Sequence, residues 1–267
     1  MARDPDPHLL RKLYNVPPPE PFEAVSAWLT RLGLSQCAPP TRIRHLIGIP
    51  NRGDLDRVVR GPLLEELRRV CGLPDTAFGI ADRIMTSLCS MSPVGDRYLA
   101  VAGSWYSRFR FCPLCLREMP TPHFPVHWRF FAWRWCPKHD CLLEDACPHC
   151  GAAIVFPKDF ELTFAGRKGY GLLNRCAACA NRLDDIEPCL LQLGDRRLVQ
   201  ANEQLKLSNG RALLAALHDG KFSIKGRTRR LPVSWFHVIE RHGGLPTRLD
   251  WLRPAVIRRR KAELEGL

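Results

Sequence analysis

Apolar residues in the first third of the chain recur at intervals of three and four positions, which is the spacing of one buried helix face. The first such stripe comprises Phe22, Val25, Trp28, Leu29 and Leu32. Gly33 is expected to end this helix, because glycine favours the backbone conformation that follows a helical C-terminus. Three further patterns predict helices over Thr41–Ile47, Leu55–Val59 and Pro62–Cys71.

A proline and a glycine mark the boundaries of the last of these helices. Pro62 suits a first helical position, where its missing N–H costs nothing, and Gly72 suits the end. Asp75 is expected to cap a further helix that reaches Ile84 and Leu88. Residues 22–104 are therefore predicted to form a helical N-terminal domain, in which a helix-turn-helix arrangement is one option.

Composition divides the rest of the chain into three segments. Residues 1–21 are rich in proline and charge, which predicts an extended N-terminal arm. In residues 105–190 helical periodicity fades while cysteine and aromatic residues crowd together, as in a tandem zinc-binding domain. Helical patterning then returns, over Ala212–Leu217 and Trp235–Arg241 among others, and residues 191–267 are predicted to form a basic helical C-terminal domain. The expected fold class is mainly α with small zinc-ribbon or zinc-finger modules.

Basic residues outnumber acidic ones by forty to twenty-seven, which gives a formal net charge of +13. Between residues 195 and 267, sixteen Lys or Arg residues oppose seven Asp or Glu residues, so most of the excess lies there. Such a balance favours a polyanionic partner such as nucleic acid. The sequence shows neither a leader-like apolar segment nor an apolar run of about 18 residues, so a cytoplasmic location is expected.

The strongest chemical signal is a set of three C-x-x-C pairs and one C-x-x-H pair within residues 112–179. A two-residue gap lets both ligands of a pair face one ion from a tight turn, and two pairs complete a zinc tetrahedron. Clustered cysteines in a reducing compartment indicate metal rather than disulfides. We therefore predict two structural zinc ions per chain. The ligands are Cys112, Cys115, Cys136 and His139 for the first ion, and Cys147, Cys150, Cys176 and Cys179 for the second.

A second pairing of the same residues stays open at the level of sequence. The first two C-x-x-C pairs, which begin at Cys112 and Cys147, could share one ion. Gly151, directly after the second pair, is expected to supply a left-handed turn. The remaining cysteines have no partner at this spacing and are interpreted as small buried or incidental thiols: Cys37, Cys71, Cys89, Cys141 and Cys189. The neighbouring His123, His127 and His149 are interpreted as packing or surface residues.

No catalytic residue is predicted. Both ligand sets are closed at four soft ligands, whereas a hydrolytic zinc keeps an open position for water. The acidic pairs Glu144–Asp145 and Asp184–Asp185 are interpreted as charges on exposed turns rather than as a nuclease site. The sequence also has no Walker A motif, nucleophile elbow or dinucleotide-binding fingerprint. We expect a protein that is not an enzyme.

Aromatic and arginine residues alternate in two stretches, residues 105–111 and 128–135. The rings are interpreted as the shared core of small zinc modules, with base stacking as the alternative. The arginines are candidate phosphate contacts, together with the basic runs K-G-R-T-R-R and R-R-R-K of the C-terminal segment. The candidate nucleic-acid-binding residues are Arg108, Arg110, Arg129, Arg134, Lys225, Arg227, Arg229, Arg230, Arg258, Arg259, Arg260 and Lys261.

Several motifs occur in a fixed order along the chain. They are P-F-E-A-V-S-A-W-L-T-R-L at 21–32, F-C-P-L-C-L-R-E at 111–118, H-W-R-F-F-A-W at 127–133, C-P-K-H-D-C-L-L at 136–143 and A-C-P-H-C-G at 146–151. In this order they resemble the TniQ/TnsD family of transposition target-selection proteins, over roughly residues 20–180. The opening motif departs from the usual E-S-L-x-S-W of that family, and the last eighty residues show no match.

The resemblance implies a non-enzymatic adaptor in a transposon. Members of that family link the site chosen for insertion to an AAA+ regulator of the TnsC/TniB kind. Some read target DNA themselves, and others act beside an RNA-guided effector in CRISPR-associated transposons. We therefore expect an AAA+ regulator and target DNA as partners, with contact to a CRISPR effector or guide RNA as the alternative and a homodimer as an option. In the opening helix, Trp28 and Arg31 are candidate partner-binding residues.

Overall fold

A computed structural model describes residues 13–50, 53–91, 94–102, 106–158, 172–189, 210–223 and 229–235. The helices in these ranges are α1 (Val25–Ser35), α2 (Pro40–Ile47), α3 (Leu55–Val58), α4 (Pro62–Cys71), α5 (Gly79–Ser90), α6 (Pro113–Glu118) and α7 (210–219). The strands are β1 (Val101–Ala102), β2 (Tyr106–Phe109), β3 (Trp135–Cys136), β4 (Cys141–Leu142), β5 (Ile154–Phe156), β6 (Lys221–Ser223) and β7 (Arg230–Pro232). Single 3-10 turns occupy Val94–Tyr98, Val126–Arg129 and Val233–Trp235.

The described fold mixes helices and strands, so the expectation of a mainly α protein with a helix-turn-helix is not confirmed. The strands are arranged as an antiparallel sheet of order β1-β2-β5 and two antiparallel pairs, β3-β4 and β6-β7. Each strand has two to four residues. Strands this short leave almost no two-residue alternation in a sequence, so the pattern analysis missed them.

The helices predicted before residue 91 are present, with small differences at several ends: α2 begins one residue earlier than predicted, at Pro40, and α3 ends one residue earlier, at Val58. The helix over Pro62–Cys71 has the predicted bounds. The first helix continues through Gly33 to Ser35, and a Cβ atom at Gly33 would lie 2.8 Å from the carbonyl oxygen of Ala38. Glycine is therefore required there by the close return of the chain rather than by the end of a helix. The helix expected to follow Asp75 begins at Gly79.

Two apolar cores hold these elements together. One core lies between α1, α2, α3 and α4 and contains the fully buried Trp28, Leu55 and Leu67. The larger core unites the rest of the described chain: Leu88 of α5, Phe109 of β2, Trp133 and, from α7, Leu214 belong to the same cluster. The predicted domain boundaries stay a prediction, because this larger core draws residues from all three predicted folded segments.

The described part of the C-terminal segment packs directly on this larger core. Residues 210–219 are helical, as the pattern over Ala212–Leu217 predicts. They are followed by the β6-β7 pair, which the helical prediction for this segment missed. Of the helix predicted to begin at Trp235, that residue closes a 3-10 turn and the rest lies outside the described residues. None of the helices within the described ranges combines the length and apolarity needed to cross a bilayer.

Candidate metal centres

The first centre joins the start of α6 to the β3-β4 pair. Cys112 precedes α6, and its Sγ accepts a hydrogen bond from the backbone N–H of Cys115. Cys136 ends β3, and His139 lies in the turn that leads to β4. The Nδ1 atom of His139 is 3.3 Å from Sγ of Cys112 and 3.3 Å from Sγ of Cys115. The Sγ atoms of Cys115 and Cys136 are 3.6 Å apart.

These four donors fit a tetrahedral metal ion. Ligands held about 2.3 Å from zinc at tetrahedral angles lie roughly 3.7 Å from one another, close to the separations found here. The four donor atoms are all within 4.8 Å of one another. A hydrogen bond with Cys115 lowers the pKa of the Cys112 thiol to about 7, which favours the thiolate that metal binding requires.

The second centre has the same construction from two cysteine turns. Sγ of Cys147 lies 3.7 Å from Sγ of Cys179, and Sγ of Cys150 lies 3.7 Å from Sγ of Cys176. Gly151 has a φ of 72°, so the predicted left-handed turn after the first of these pairs is confirmed. Three thiols and one imidazole in the first centre and four thiols in the second are both donor sets that zinc accepts.

The structure groups the eight residues as two consecutive sets. Cys112, Cys115, Cys136 and His139 form one set, and Cys147, Cys150, Cys176 and Cys179 form the other. The interleaved pairing that the sequence leaves open is not the arrangement observed. Nor do the neighbouring histidines join either set. His127 is buried, and burial lowers its pKa to about 3, whereas His123 and His149 lie near backbone carbonyls.

Two features of the first centre lie outside the sequence prediction. Glu118, at the end of α6, places Oε2 3.0 Å from Nε2 of His139, the ring nitrogen that faces away from the thiols. Cys141 is fully buried, and its Sγ lies 3.6 Å from Sγ of Cys112. Cys141 lies five positions after Cys136, which is not a C-x-x-C spacing. A short hairpin nevertheless places residues at this spacing opposite each other, and this was the signal for Cys141 in the sequence.

Arg117 forms hydrogen bonds between the segment of the first centre and the segment of the second. Arg117 of α6 donates from Nε and from Nη2 to the backbone carbonyl of Asp184, at 3.0 and 2.6 Å. The Asp184 side chain is buried and accepts hydrogen bonds from Asn174 and Arg182. The expectation that Asp184 is a solvated turn charge is therefore wrong. Its carboxylate is used to hold the loop of the second centre.

Most of the described aromatic residues around the centres form a core, as the sequence interpretation expects, whereas Tyr106 and Phe131 are exposed. Phe124 makes edge-to-face contacts with Phe109 and Trp128, with ring centroids 5.7 and 5.5 Å apart. Phe109, Phe124 and Phe130 are fully buried. Rings in this position cannot stack on bases, since their faces are covered by other side chains.

Arg129 was a candidate phosphate contact, and the structure corrects this assignment. Its side chain is fully buried, and its Nη1 donates to Oδ1 of Asp54 at 3.0 Å and to Oδ2 of Asp56 at 2.8 Å. Asp54 also accepts a bond from Ser107, and Asp56 accepts two from Ser26. Arg129 therefore neutralises buried carboxylates of α3 and its cap, and cannot reach a nucleic acid.

The pKa values of the Asp54 and Asp56 carboxyl groups shift in opposite directions. Burial would raise the pKa of Asp54, but the charge and hydrogen bonds of Arg129 outweigh burial and lower it. Burial raises the pKa of Asp56, against the charge of Arg129 and with the help of the Asp54 charge. The charges of Asp54 and Asp56 raise the pKa of the Arg129 guanidinium despite its burial. The group therefore retains its cation across the physiological pH range.

Other candidate nucleic-acid contacts separate into four groups. Arg110 is buried, pairs with Asp145 and lies over the Phe131 ring, so it too is removed from the set. Arg108 and Arg134 are half-buried. Arg229 and Arg230 are exposed at the β6-β7 pair. The remaining candidates, Lys225, Arg227, Arg258, Arg259, Arg260 and Lys261, lie outside the described residues.

Trp28 and Arg31 were candidate partner contacts, and both are occupied within the chain. Trp28 is fully buried, and its Nε1 donates to the carbonyl of Pro17 at 2.8 Å. Arg31 donates to both carboxylate oxygens of Glu23, at 2.8 and 2.6 Å, and to the carbonyl of Pro18. These side chains hold the proline-rich segment against α1, so we withdraw them as partner contacts.

Comparison with known sequences agrees with the motif order. Residues 15–143 match the TniQ family, a range that begins in the proline-rich segment and ends directly after β4. It contains the first centre and the whole Arg129 group, and it leaves out the second centre and α7. A search of curated proteins found no match.

Proposed function

We propose that this chain, whose residues 15–143 match the TniQ family, is a non-enzymatic adaptor of DNA transposition that binds target DNA and an AAA+ regulator. The family match is the observation that carries this proposal. The matched range includes both the opening helix and the first metal centre, so the resemblance extends over two different structural parts. The role in transposition follows from the family, and the specific partners are our proposal.

We propose further that each centre holds one zinc ion with a structural role. Cys112, Cys115, Cys136 and His139 would hold one ion, and Cys147, Cys150, Cys176 and Cys179 the other. In each set all four tetrahedral positions are supplied by protein, which leaves none for an activated water. The ions would contribute folding free energy to segments whose strands have only two or three residues.

The DNA contact is supported by charge on the C-terminal part of the chain. The β6-β7 pair exposes Lys221, Arg229 and Arg230 on one short ribbon. Asp219 of α7 forms an ion pair with Arg230 at 2.9 Å, which holds the Arg230 side chain against α7. Of the two densest basic runs, the one at 225–230 connects the two strands in sequence and includes Arg229 and Arg230, and the one at 258–261 lies outside the described ranges. A basic protein surface of this kind binds the phosphate backbone of DNA without reading the base sequence.

Salt dependence tests the DNA contact. Fluorescence anisotropy of a labelled duplex should show an affinity that falls steeply with salt, since each neutralised phosphate adds about 0.9 to the log–log slope. Arg229→Glu should reduce the magnitude of the log–log slope by about 0.9, the contribution of one phosphate contact. Arg69→Glu, which changes charge equally at an exposed position of α4, is the matched control and should leave it unchanged. Wild-type binding without salt dependence would refute the DNA contact.

A pull-down with a regulator of the TnsC/TniB kind tests the adaptor role. Combined alanine replacement of Arg227, Arg229, Arg230, Arg258, Arg259 and Arg260 should abolish DNA binding and leave regulator capture intact. Loss of regulator capture with intact DNA binding would favour the alternative, a bridging module that contacts a CRISPR effector or guide RNA. Capture of neither partner by the wild-type chain would contradict the proposal.

A further inference from the structure

We propose that Cys141 is a reserve ligand of the first centre, which takes the place of His139 on the metal when the imidazole is absent. This inference rests on the proposal above that the centre binds zinc. The first centre as observed has three thiols and one imidazole as its four clustered donors. With Cys141 in place of His139, the same centre would have four thiolates.

The hairpin places Cys141 on the metal side of the sheet. Cys136 and Cys141 are direct partners in the β3-β4 ladder. Side chains of directly opposed residues project to the same face, with Cβ atoms about 5 Å apart. Cys136 contributes its thiol to the centre, so the Cys141 thiol points to the same place. Its distance of 3.6 Å from Sγ of Cys112 equals that between Cys115 and Cys136 within the centre.

The position of Cys141 is also chemically suited to a ligand. The residue is fully buried, so no water competes for the thiol. Among the described residues it is a fifth metal-type donor beside a set of four. A structural zinc accepts three thiolates with one imidazole and four thiolates alike. Sγ of Cys141 would form the bond to the metal that Nδ1 of His139 no longer makes. The Cys141 thiol gives up one proton to solvent in the same step.

Different parts of the hairpin carry the two competing donors. His139 sits in the turn and is positioned by Glu118 of α6, whereas Cys141 sits on the strand that pairs with Cys136. Loss of the turn histidine therefore leaves the strand thiol in place. The second centre provides the matched comparison, because the sulfur–sulfur contacts of its four thiols within the described ranges join them to one another.

Metal content of four variants of the full chain tests the inference. His139→Ala should keep about as much zinc as wild type, because Cys141 completes the site. Cys141→Ser should also keep it. The double variant His139→Ala with Cys141→Ser should lose one zinc per chain, and Cys179→Ala should lose one as well, since the second centre has no reserve. Near-ultraviolet circular dichroism of each variant shows whether the fold is kept.

Three outcomes separate the possibilities. If His139→Ala alone loses one zinc, or if the double variant keeps both, Cys141 is not a reserve ligand. If the wild-type chain holds no zinc, the proposed centre itself fails, which is a different result. Cobalt substitution gives a second readout: the thiolate-to-cobalt absorption of His139→Ala should exceed that of wild type, because a sulfur replaces a nitrogen. Equal or weaker absorption would overturn the inference.

Discussion

The Nη1 atom of Arg129 lies 2.8 Å from Oδ2 of Asp56, although seventy-three positions separate the two residues in the chain. Asp56 belongs to α3, and Arg129 ends the 3-10 turn of the metal-binding segment. The contact therefore joins the helical core to the core around the centres. Ser107 of β2 and Ser26 of α1 complete the group from both sides.

Arg129→Met should destabilise the chain strongly. It would leave the buried carboxylates of Asp54 and Asp56 without their cation, and loss of one partner of a buried pair costs about 3–5 kcal/mol. Denaturant unfolding followed by circular dichroism measures this loss. Arg69→Met removes an arginine from an exposed ion pair with Glu66 and should leave the unfolding midpoint unchanged. Equal effects of the two changes would show that the Arg129 group is not structurally special.

Glu23 should make stability depend on pH. Burial raises its pKa from 4.5 to about 7, against the hydrogen bonds and charge of Arg31. Between these values the folded chain keeps a proton that the unfolded chain has released, so the free energy of unfolding falls as pH rises. The contribution is about 1.4 kcal/mol per pH unit. In unfolding measured from pH 4.5 to 7, Glu23→Gln should remove this component and Glu65→Gln, at an exposed position of α4, should keep it. An unchanged slope in Glu23→Gln would contradict the burial argument.

Glu118→Gln should weaken metal retention at the first centre. The carboxylate lies 3.0 Å from Nε2 of His139 and favours the tautomer that presents Nδ1 to the thiols. Loss of such a supporting group typically lowers metal affinity about tenfold or more. Competition with a chromophoric chelator resolves the two ions, and retention at the second centre is the internal control. Equal weakening of both ions would point to a general loss of stability instead.

Removal of metal should open the aromatic core. Cys112 and Cys136 belong to the same buried cluster as Trp128, Trp133 and Trp135. Since structural zinc supplies folding free energy, chelation should expose these rings and shift tryptophan fluorescence to longer wavelength. Readdition of zinc should reverse the shift. Fluorescence that is indifferent to a strong chelator would mean that the core stands without the metal.

Local patterns in the sequence predicted local structure well. The bounds of α4 follow from Pro62 and Gly72, which act on the backbone at their own positions. The eight metal donors follow from C-x-x-C and C-x-x-H spacing, because both donors of each pair come from one turn, whereas their division into two sets is resolved by the fold. The family resemblance depended on the order of the same motifs and is confirmed over residues 15–143.

Burial and pairing across the chain could not be predicted in the same way. The role of Arg129 depends on Asp56, which is remote in sequence. The role of Trp28 depends on Pro17, which lies in a segment that has no helix or strand pattern. A charged side chain between aromatic residues suggests a phosphate contact until its buried partner is known. Cys141 was missed for a related reason, since only the hairpin register brings it to the centre.

Two closed zinc centres are, in our proposal, the framework of this chain. Metal analysis of the purified wild-type chain, combined with X-ray absorption at the zinc edge, tests this most directly. We predict two zinc ions per chain, with a ligand shell of seven sulfur atoms and one nitrogen atom shared between them. One zinc ion or none, or a shell rich in oxygen, would contradict the proposal.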